Sequence, residues 1–316
     1  MTCHNCKIEM VKAGRGRNSV QRFKCSTCGK RFSEPQQKPF GADVRLPQET
    51  VCRILHCLVE GNSVRGTARL CDVEKRTVLN ILTLAGENCE RLLSEKIQQI
   101  PVAQVQADEI WTFVQKKEGH KWAHEAGAQH IGDAYTFIAL ESKTKLVLAW
   151  HLGKRDTPNT KEFIRKLRAA TFEDPFELCT DAFPSYMPAI SEALYDRAHY
   201  SQIVKVYSKH EEGRERYSPG EFVKLEKTVM RGSPDLGRAS TSHIERKNGS
   251  LRQWCKRLTR LTYAFSKKWD NLKAALALHF AYYNFCRVHS SLRVTPAMEA
   301  GITDRIWNLA DLISPL

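Results

Sequence analysis

The stretch VQADEIWTF, residues 105–113, sets two adjacent acids inside a run of apolar, β-branched and aromatic residues. Such a composition is typical of a strand, which we predict over 102–114. Successive side chains along a strand point to opposite faces of its sheet, so Asp108 and Glu109 are predicted to diverge. Only one of the two carboxylates is therefore expected to face a shared site.

Two further stretches carry single acids in comparable settings. In FELCTDAFPSY a strand-like run ends at Asp181, just outside the carboxyl end of a strand, where α/β sheets tend to place their chemistry. In TSHIERKNGSLRQ a helical pattern opens with Glu245, which could also be an ordinary acid that favours the helix dipole. Carboxylates from two strands and a helix can hold two divalent ions roughly 3.5–4 Å apart, as in-line attack on a phosphodiester requires. Asp108, Asp181 and Glu245 are therefore predicted to form a site that cuts and joins nucleic acid.

The residues around these acids predict a mixed α/β core. Alternating and apolar runs favour four strands, with one helix before the last of them. The strands are predicted over 102–114, 134–140, 145–152 and 176–180, and the helix over 162–170. Three antiparallel strands, a helix and a parallel strand form the order of an RNase H-like core. Residues 205–241 are polar and rich in Gly and Pro, and are predicted to be a mobile excursion before the last catalytic helix.

The helix that begins near Glu245 carries further polar residues on the same face. Positions 245, 248 and 252 are neighbours at helical spacing, so Asn248 and Arg252 are predicted to lie beside Glu245. Arg252 is then placed to hold a phosphate near the reacting bond. Arg257 and Arg260 extend a basic track along which DNA phosphates are expected to bind.

The charge distribution favours a polyanionic partner. The 316-residue chain, long enough for about two domains, has a net charge of +14. Residues 1–45 hold ten Lys/Arg against three acids, and residues 246–293 hold eleven against Asp270 alone. Nucleic acid is predicted to contact both regions, the alternative being that they are solvated faces. Neither a membrane span nor a signal core is recognisable in the sequence, so we expect the chain in the cytoplasm, associated with the nucleoid.

Four of the eleven cysteines form two pairs with knuckle spacing. They are Cys3, Cys6, Cys25 and Cys28, which give C-x2-C twice with eighteen residues between. Four thiolates at this spacing can form a tetrahedral zinc site. Residues 1–40 are therefore predicted to be a zinc ribbon that depends on its metal for stability, the alternative being a chance pairing of buried thiols.

A compact helical domain is predicted over 45–97. Helices are expected over 48–60, 63–70 and 74–86, and the tight link before the third helix is typical of a helix-turn-helix unit. The early residues of the third helix would meet base edges in the major groove. These predicted DNA-binding residues are Lys75, Arg76, Thr77 and Asn80. A three-helix unit used only for packing is the competing interpretation.

The chain resembles DDE transposases of bacterial insertion sequences, in the IS-one-type branch, over nearly its whole length. The motifs that carry this resemblance are DEIWTFV, TDAFPSY, TSHIERKNGSLRQW and YYNFCRVHSSLRVTPAMEAG. The resemblance implies a catalytic domain over 98–316, with a triad at Asp108, Asp181 and Glu245 and a basic helper at Arg252. It thereby selects Asp108 from the two adjacent acids. The implied activity depends on Mg²⁺ or Mn²⁺ and cleaves an element at its terminal inverted repeats. A homo-oligomer would then transfer the strands into double-stranded target DNA.

Two other functions compete with this one. A DNA-binding regulator derived from a transposase would use residues 1–85 for DNA and keep the rest of the chain for dimerisation. The intact acids favour the enzyme over this regulator. An RNase H-like nuclease without strand transfer is less favoured, because the basic C-terminal region suggests a longer DNA contact.

Overall fold

The computed structural model describes residues 1–16, 20–34, 39–41, 44–208 and 221–314. Contacts divide the chain into two compact units, Met1–Arg45 and Leu46–Leu316. In the described residues, no helix combines the length and the apolar character that crossing a membrane requires.

The first unit is a small antiparallel sheet beside a cluster of cysteines. Its strands are β1 (Val11–Arg15), β2 (Gln21–Lys24) and β3 (Arg31–Ser33), paired in that order. Each cysteine knuckle is followed by a residue in the left-handed region, Lys7 with φ 57° and Gly29 with φ 67°. The buried core consists of Cys3, Met10 and Cys25, so apolar burial alone contributes little to its stability.

Three helices open the second unit. They are α1 (Gln48–Val59), α2 (Val64–Leu70) and α3 (Lys75–Lys96). Ser63 caps α2, because its Oγ accepts a hydrogen bond of 3.0 Å from the N–H of Gly66. Asp72, with φ 52°, makes the turn before α3. α3 then buries Val78 and Ile81, while its first turn lies in solvent.

A mixed sheet follows in the chain. Its six strands within the described residues are β4 (Gln104–Val114), β5 (Gly132–Glu141), β6 (Val147–Gly153), β7 (Phe176–Thr180), β8 (Ala198–Tyr207) and β9 (Phe222–Arg231). The strand order is β6-β5-β4-β7-β8-β9. β4, β5 and β6 form an antiparallel meander, and β7 and β8 run parallel to β4. The order and position of β4 to β7 agree with the sequence prediction, and such a mixed sheet with helices fits an RNase H-like core.

Helices cover both faces of this sheet. Within the described ranges they are α4 (Thr157–Ala170), α5 (Tyr186–Ala193), α6 (Ser242–Trp254), α7 (Trp269–Ala281), α8 (Pro296–Glu299) and α9 (Leu309–Ile313). α4 packs on one face, where the rings of Phe163 and Phe137 lie 5.6 Å apart. α6 packs on β4, where Oε1 of Gln106 accepts hydrogen bonds from the N–H groups of His243 and Ile244 at 2.9 and 3.1 Å.

Residues 198–231 correct the sequence prediction of a mobile excursion. β8 and β9 pair as an antiparallel hairpin at the edge of the sheet, and the part of the excursion at 209–220 lies outside the described residues. The apolar period is missing because most of β9 is exposed, including Phe222 and Val223, each 58% exposed. Pairing between backbones, rather than burial of one face, forms this strand.

α3 does not end at Gly86, where the sequence predicted its end. A Cβ at Gly86 would lie 2.4 Å from the Cα of Ala274 in α7, so the glycine permits close approach of two helices. α3 and α7 consequently pack along each other. The helices of 45–97 share one compact unit with the sheet, so the boundary predicted near residue 97 does not separate two units.

The YYNFC motif has a structural role at the opposite edge of the sheet. Tyr282–Cys286 forms a π-helical turn directly after α7. The amide of Asn284 accepts a hydrogen bond from the N–H of Val147 at 3.1 Å and donates one to its carbonyl at 2.9 Å. The motif therefore satisfies backbone groups that the edge strand β6 would otherwise leave unpaired.

Candidate functional site

Three carboxylates meet where β7 ends beside β4. Oxygen atoms of Asp108, Glu109 and Asp181 all lie within 4.8 Å of one another. Asp181 follows the last residue of β7, and the adjacent acids lie in the middle of β4. An all-oxygen donor set of this size fits a hard divalent cation such as Mg²⁺ or Mn²⁺.

Glu109 corrects the expectation that only one of the adjacent acids faces the site. The two side chains do leave β4 on opposite faces: Asp108 is bonded from α6, whereas Glu109 accepts a hydrogen bond of 3.0 Å from the hydroxyl of Tyr186 in α5. β7 pairs with β4 only as far as Gln106. Beyond the end of β7, no strand among the described residues lies beside β4. The carboxylates of Asp108 and Glu109 can therefore both approach Asp181, one from each face of the sheet.

Arg155 is the cation of this cluster that sequence reasoning missed. Its Nε donates to Oε1 of Glu109 at 2.5 Å, and its Nη2 lies 3.7 Å from Oδ2 of Asp181. The guanidinium also stacks over Phe183, 4.0 Å from the ring centroid. In the sequence Arg155 stands in a turn before α4 with no motif around it, so only the tertiary structure links it to the acids.

Burial and the repulsion between neighbouring carboxylates raise the pKa values of Asp108 and Glu109. Burial, together with the charges of Glu109 and Asp181, raises the pKa of Asp108 to about 7. Burial and the charge of Asp181 also raise the pKa of Glu109, although Arg155 opposes the rise. The negative charge is therefore only partly compensated by side chains, and a bound divalent cation would compensate it further.

Glu245 lies apart from the three clustered carboxylates. It stands in the first turn of α6, where it accepts a hydrogen bond from the hydroxyl of Thr241 at 2.7 Å and pairs with Lys205 of β8. One turn further along α6, the Nδ2 of Asn248 donates to Oδ2 of Asp108 at 2.8 Å. Glu245 is thus about one helical turn from the cluster, and its carboxylate is held by an ammonium group.

Asn248 and Arg252 face β4, on the side of α6 that the helical spacing predicted. Asn248 is buried and contacts Asp108, and its Oδ1 has no partner among the described residues. Arg252 donates to the carbonyls of Leu258 and Trp111 at 3.1 and 3.3 Å. Burial and the nearby Arg260 lower the pKa of Arg252 to about 10. Arg252 therefore braces α6 against β4 in this structure.

The remaining predicted DNA-binding residues divide into exposed and buried groups. Arg257 is largely enclosed and donates to the Oγ of Ser266 at 2.9 Å, and burial lowers its pKa. Arg260 is exposed. The residues at the start of α3 are exposed except Thr77, which is half-buried; the exposed ones are Lys75, Arg76 and Asn80.

The four cysteines of the first unit form a second cluster. Their sulfur atoms lie within 4.8 Å of one another, and those of Cys3 and Cys28 are 3.7 Å apart. The backbone N–H of Cys28 helps to lower the pKa of Cys25 to about 7, which favours the thiolate form that binds metal. A set of four converging thiols fits a tetrahedral soft-metal site.

Comparison with known protein families gives a match for one segment of the chain. Residues 131–232 match the family model described as a DDE domain, of the IS240 transposase type. The matched segment includes Asp181 but less than half of the chain. It confirms the predicted resemblance to transposases of insertion sequences.

Two solved structures are also similar to the chain. A crystal structure of a pre-cleavage Mos1 transpososome has 12% identity and a TM-score of 0.20, covering 50% of this chain and 61% of that one. A Mos1 transposase paired-end complex with left transposon end has 14% identity and a TM-score of 0.19, covering 55% and 63%. The chain therefore spans about three fifths of the length of these solved chains. The curated proteins contain no match to the chain.

Proposed function

We propose that this protein is a metal-dependent transposase that binds the terminal inverted repeats of an insertion sequence, cleaves the DNA there and joins the ends to target DNA. The observation that carries the proposal is the convergence of Asp108 and Glu109 with Asp181, which lies within the segment that matches the DDE domain. A regulator that only binds DNA would have no use for three mutually repelling, partly buried acids.

In this proposal Asp108 and Asp181 hold Mg²⁺ or Mn²⁺, and Glu245 completes the set. When bound, the metal supplies activation of the attacking oxygen and stabilisation of the leaving oxygen. Asn248 orients the carboxylate of Asp108 through its hydrogen bond. Arg252 holds α6 against β4 through its hydrogen bond to the carbonyl of Trp111. For Glu245 to join, its carboxylate leaves Lys205, whose ammonium is then free to contact a DNA phosphate.

The first prediction separates the two glutamates. Glu245→Gln is expected to lower Mg²⁺-dependent cleavage of end DNA by on the order of 10³-fold, as loss of a member of a cooperating catalytic set does. Glu109→Gln is expected to cost only about tenfold, because the amide oxygen of the introduced glutamine can still accept the hydrogen bond from Tyr186. Single-turnover cleavage of a labelled end duplex measures both.

Glu226→Gln, on the exposed strand β9, is the control for loss of one acidic charge and should cleave normally. The reverse order of effects, with Glu109→Gln inactive and Glu245→Gln active, would assign the third metal ligand to Glu109 and contradict the proposed triad.

We further propose that residues 1–40 form a zinc ribbon and that α2 and α3 form a helix-turn-helix DNA reader. The converging thiols of Cys3, Cys6, Cys25 and Cys28 support the ribbon. The first turns of α3, where Lys75, Arg76 and Asn80 are exposed and Thr77 is half-buried, support the reader. A net charge of +14 supports a double-stranded DNA partner, bound by a homo-oligomer.

Base reading and phosphate binding can be distinguished by two arginine variants. Arg76→Ala removes an exposed side chain at the proposed reading end of α3, where a good bidentate base contact discriminates by about 1–3 kcal/mol. It should therefore erase much of the preference for the element's own ends over random DNA. Competition binding at two salt concentrations measures this preference.

Arg260→Ala is the matched comparison, because Arg260 is exposed in the basic C-terminal region. It should weaken binding to both DNAs alike and lower the salt slope by about one. Full end preference in Arg76→Ala would show that α3 does not read the sequence.

A further inference from the structure

A cavity of about 620 Å³ lies between α6 and the segment that follows α7. His243, Lys247 and Trp254 line it from α6, whereas Asn248 and Arg252 of the same helix face β4. At 100° per residue these two sets lie on opposite sides of the helix. The cavity is therefore separate from the carboxylate site.

Cationic side chains dominate the lining of this cavity. Besides three histidines and three serines, it has four Lys/Arg side chains: Lys145, Arg246, Lys247 and Arg287. Within the described part of the chain, none of its lining residues is acidic. Glu141 does not line the cavity, although its charge acts on Lys145. Its carboxylate accepts hydrogen bonds from the N–H and the hydroxyl of Thr144. The cavity thus concentrates positive charge without its own counter-ion.

Lys247 is the most unusual of these cations, because it is only 4% exposed. Its ammonium lies 3.1 Å from Nε2 of His279 and 3.2 Å from the ring centroid of Tyr283, and it has no carboxylate partner among the described residues. Burial, and next the charge of Arg287, hold the pKa of Lys247 well below its usual range. Burying a cation without a counter-ion costs stability, which a bound anion would restore.

Two neighbouring groups leave hydrogen-bonding capacity unused. The guanidinium of Arg287 stacks over Trp254, 3.9 Å from the ring centroid, and a stacked guanidinium keeps its in-plane N–H donors for another partner. Nδ1 of the buried His279 has no hydrogen-bond partner within the described residues. Donors of this kind around a cavity match the acceptor oxygens of phosphate.

We infer that this cavity binds a phosphate group, carried either by the terminus of a DNA strand or by a small phosphate compound. A volume of about 620 Å³ is in the range of roughly 300–1,000 Å³ that suits small ligands, and it excludes a duplex. The inference does not rest on the proposed function, since none of its residues belongs to the carboxylate site.

The test combines two variants with inorganic pyrophosphate as the probe. In EDTA, the Tm of the full chain should rise by roughly 5 °C when pyrophosphate is at a hundredfold excess over its Kd. Lys247→Met should raise the Tm of the ligand-free protein, because it removes an amine that is buried without a counter-ion, and should abolish the pyrophosphate shift. Arg287→Gln should also lose the shift, and it decides the matter if Lys247→Met does not fold.

Lys273→Met is the matched control, since Lys273 lies on the exposed side of α7 and pairs with Glu90. It should keep the full shift. The inference is overturned if pyrophosphate leaves the wild-type Tm unchanged, or if Lys247→Met and Arg287→Gln shift as the wild type does.

Short single strands with and without a 5′-phosphate identify the source of the phosphate. Affinity about tenfold higher for the phosphorylated strand, lost in Lys247→Met and Arg287→Gln but kept in Asp108→Asn, supports a strand terminus. Equal affinity for both strands, together with a pyrophosphate shift, supports a small phosphate compound. Because Asp108→Asn removes catalysis in the proposed function, its retained binding keeps failure of that function distinct from failure of this inference.

Discussion

Asp108→Asn is expected to abolish metal-dependent DNA cleavage and also to make the metal-free protein more stable. Cleavage should fall by on the order of 10⁴-fold, because an amide cannot supply the anionic ligand that the proposed mechanism requires. Stability should rise because the neutral side chain of the variant no longer repels Glu109 and Asp181 within a partly buried cluster. A variant that gains stability while losing activity points to functional strain rather than to misfolding.

The stability gain should depend on pH in a defined direction. The pKa of Asp108 is raised from its ordinary value of 3.8 to about 7, so the folded state binds a proton more tightly than the unfolded chain does. This contribution is fully present below about pH 4 and is lost as the pH rises through about 7. At about 1.4 kcal/mol for each pKa unit, Asp108→Asn should gain up to roughly 4 kcal/mol at pH 8 and little near pH 4.

Urea unfolding in EDTA at pH 5 and pH 8 measures this difference, and Asp304→Asn, on an exposed acid, is the control. Mg²⁺ should stabilise the wild type and Asp304→Asn but not Asp108→Asn. A gain that is equal at both pH values, or stabilisation of Asp108→Asn by Mg²⁺, would contradict the assignment of Asp108 as a metal ligand.

Cys25→Ser is expected to remove zinc from the protein and to unfold residues 1–45. The core of that unit is small, and structural zinc contributes about 10–16 kcal/mol to the folding of comparable small domains. Elemental analysis should give one zinc per chain for the wild type and almost none for the variant. Binding to end DNA should weaken as well, since the basic residues of this unit lose their fixed arrangement.

Cys52→Ser provides the control, because Cys52 lies in α1 outside the four-cysteine cluster. It should retain one zinc per chain and normal DNA affinity. Wild-type protein purified without chelators that contained no zinc would refute the zinc ribbon.

The strands nearest the chemistry could be predicted because each has a buried face or a fully apolar run. β4, β5, β6 and β7 all lie close to their predicted positions. β9 could not be predicted, since an exposed edge strand carries no period in its side chains. The continuation of α3 past Gly86 could not be predicted, because a glycine at this position is typical of a helix end. In the structure Gly86 instead allows close packing against Ala274, which is distant in sequence.

The structure adds three features of the candidate site that the sequence could not reveal. Alternation along β4 correctly separated Asp108 from Glu109, but it could not reveal that β7 ends early enough for both to reach Asp181. Arg155 was missed because it approaches from a turn remote in sequence. The ion pair of Glu245 with Lys205 could not be predicted either, because β8, which carries Lys205, was not predicted as a strand.

The close contact of Gly86 with Ala274 has a consequence for where DNA would be cut. α3 has 22 residues and so is about 33 Å long, with the proposed base-reading turns at one end and the seam with α7 further along. Because that seam leaves no room for even a methyl group, we expect the reading end to keep a fixed position relative to α7 and the rest of the second unit. In the proposed function the protein would then cleave at a fixed distance from the bases that α3 recognises. The DNA sequence around the cleaved bond would have little influence on where cleavage occurs.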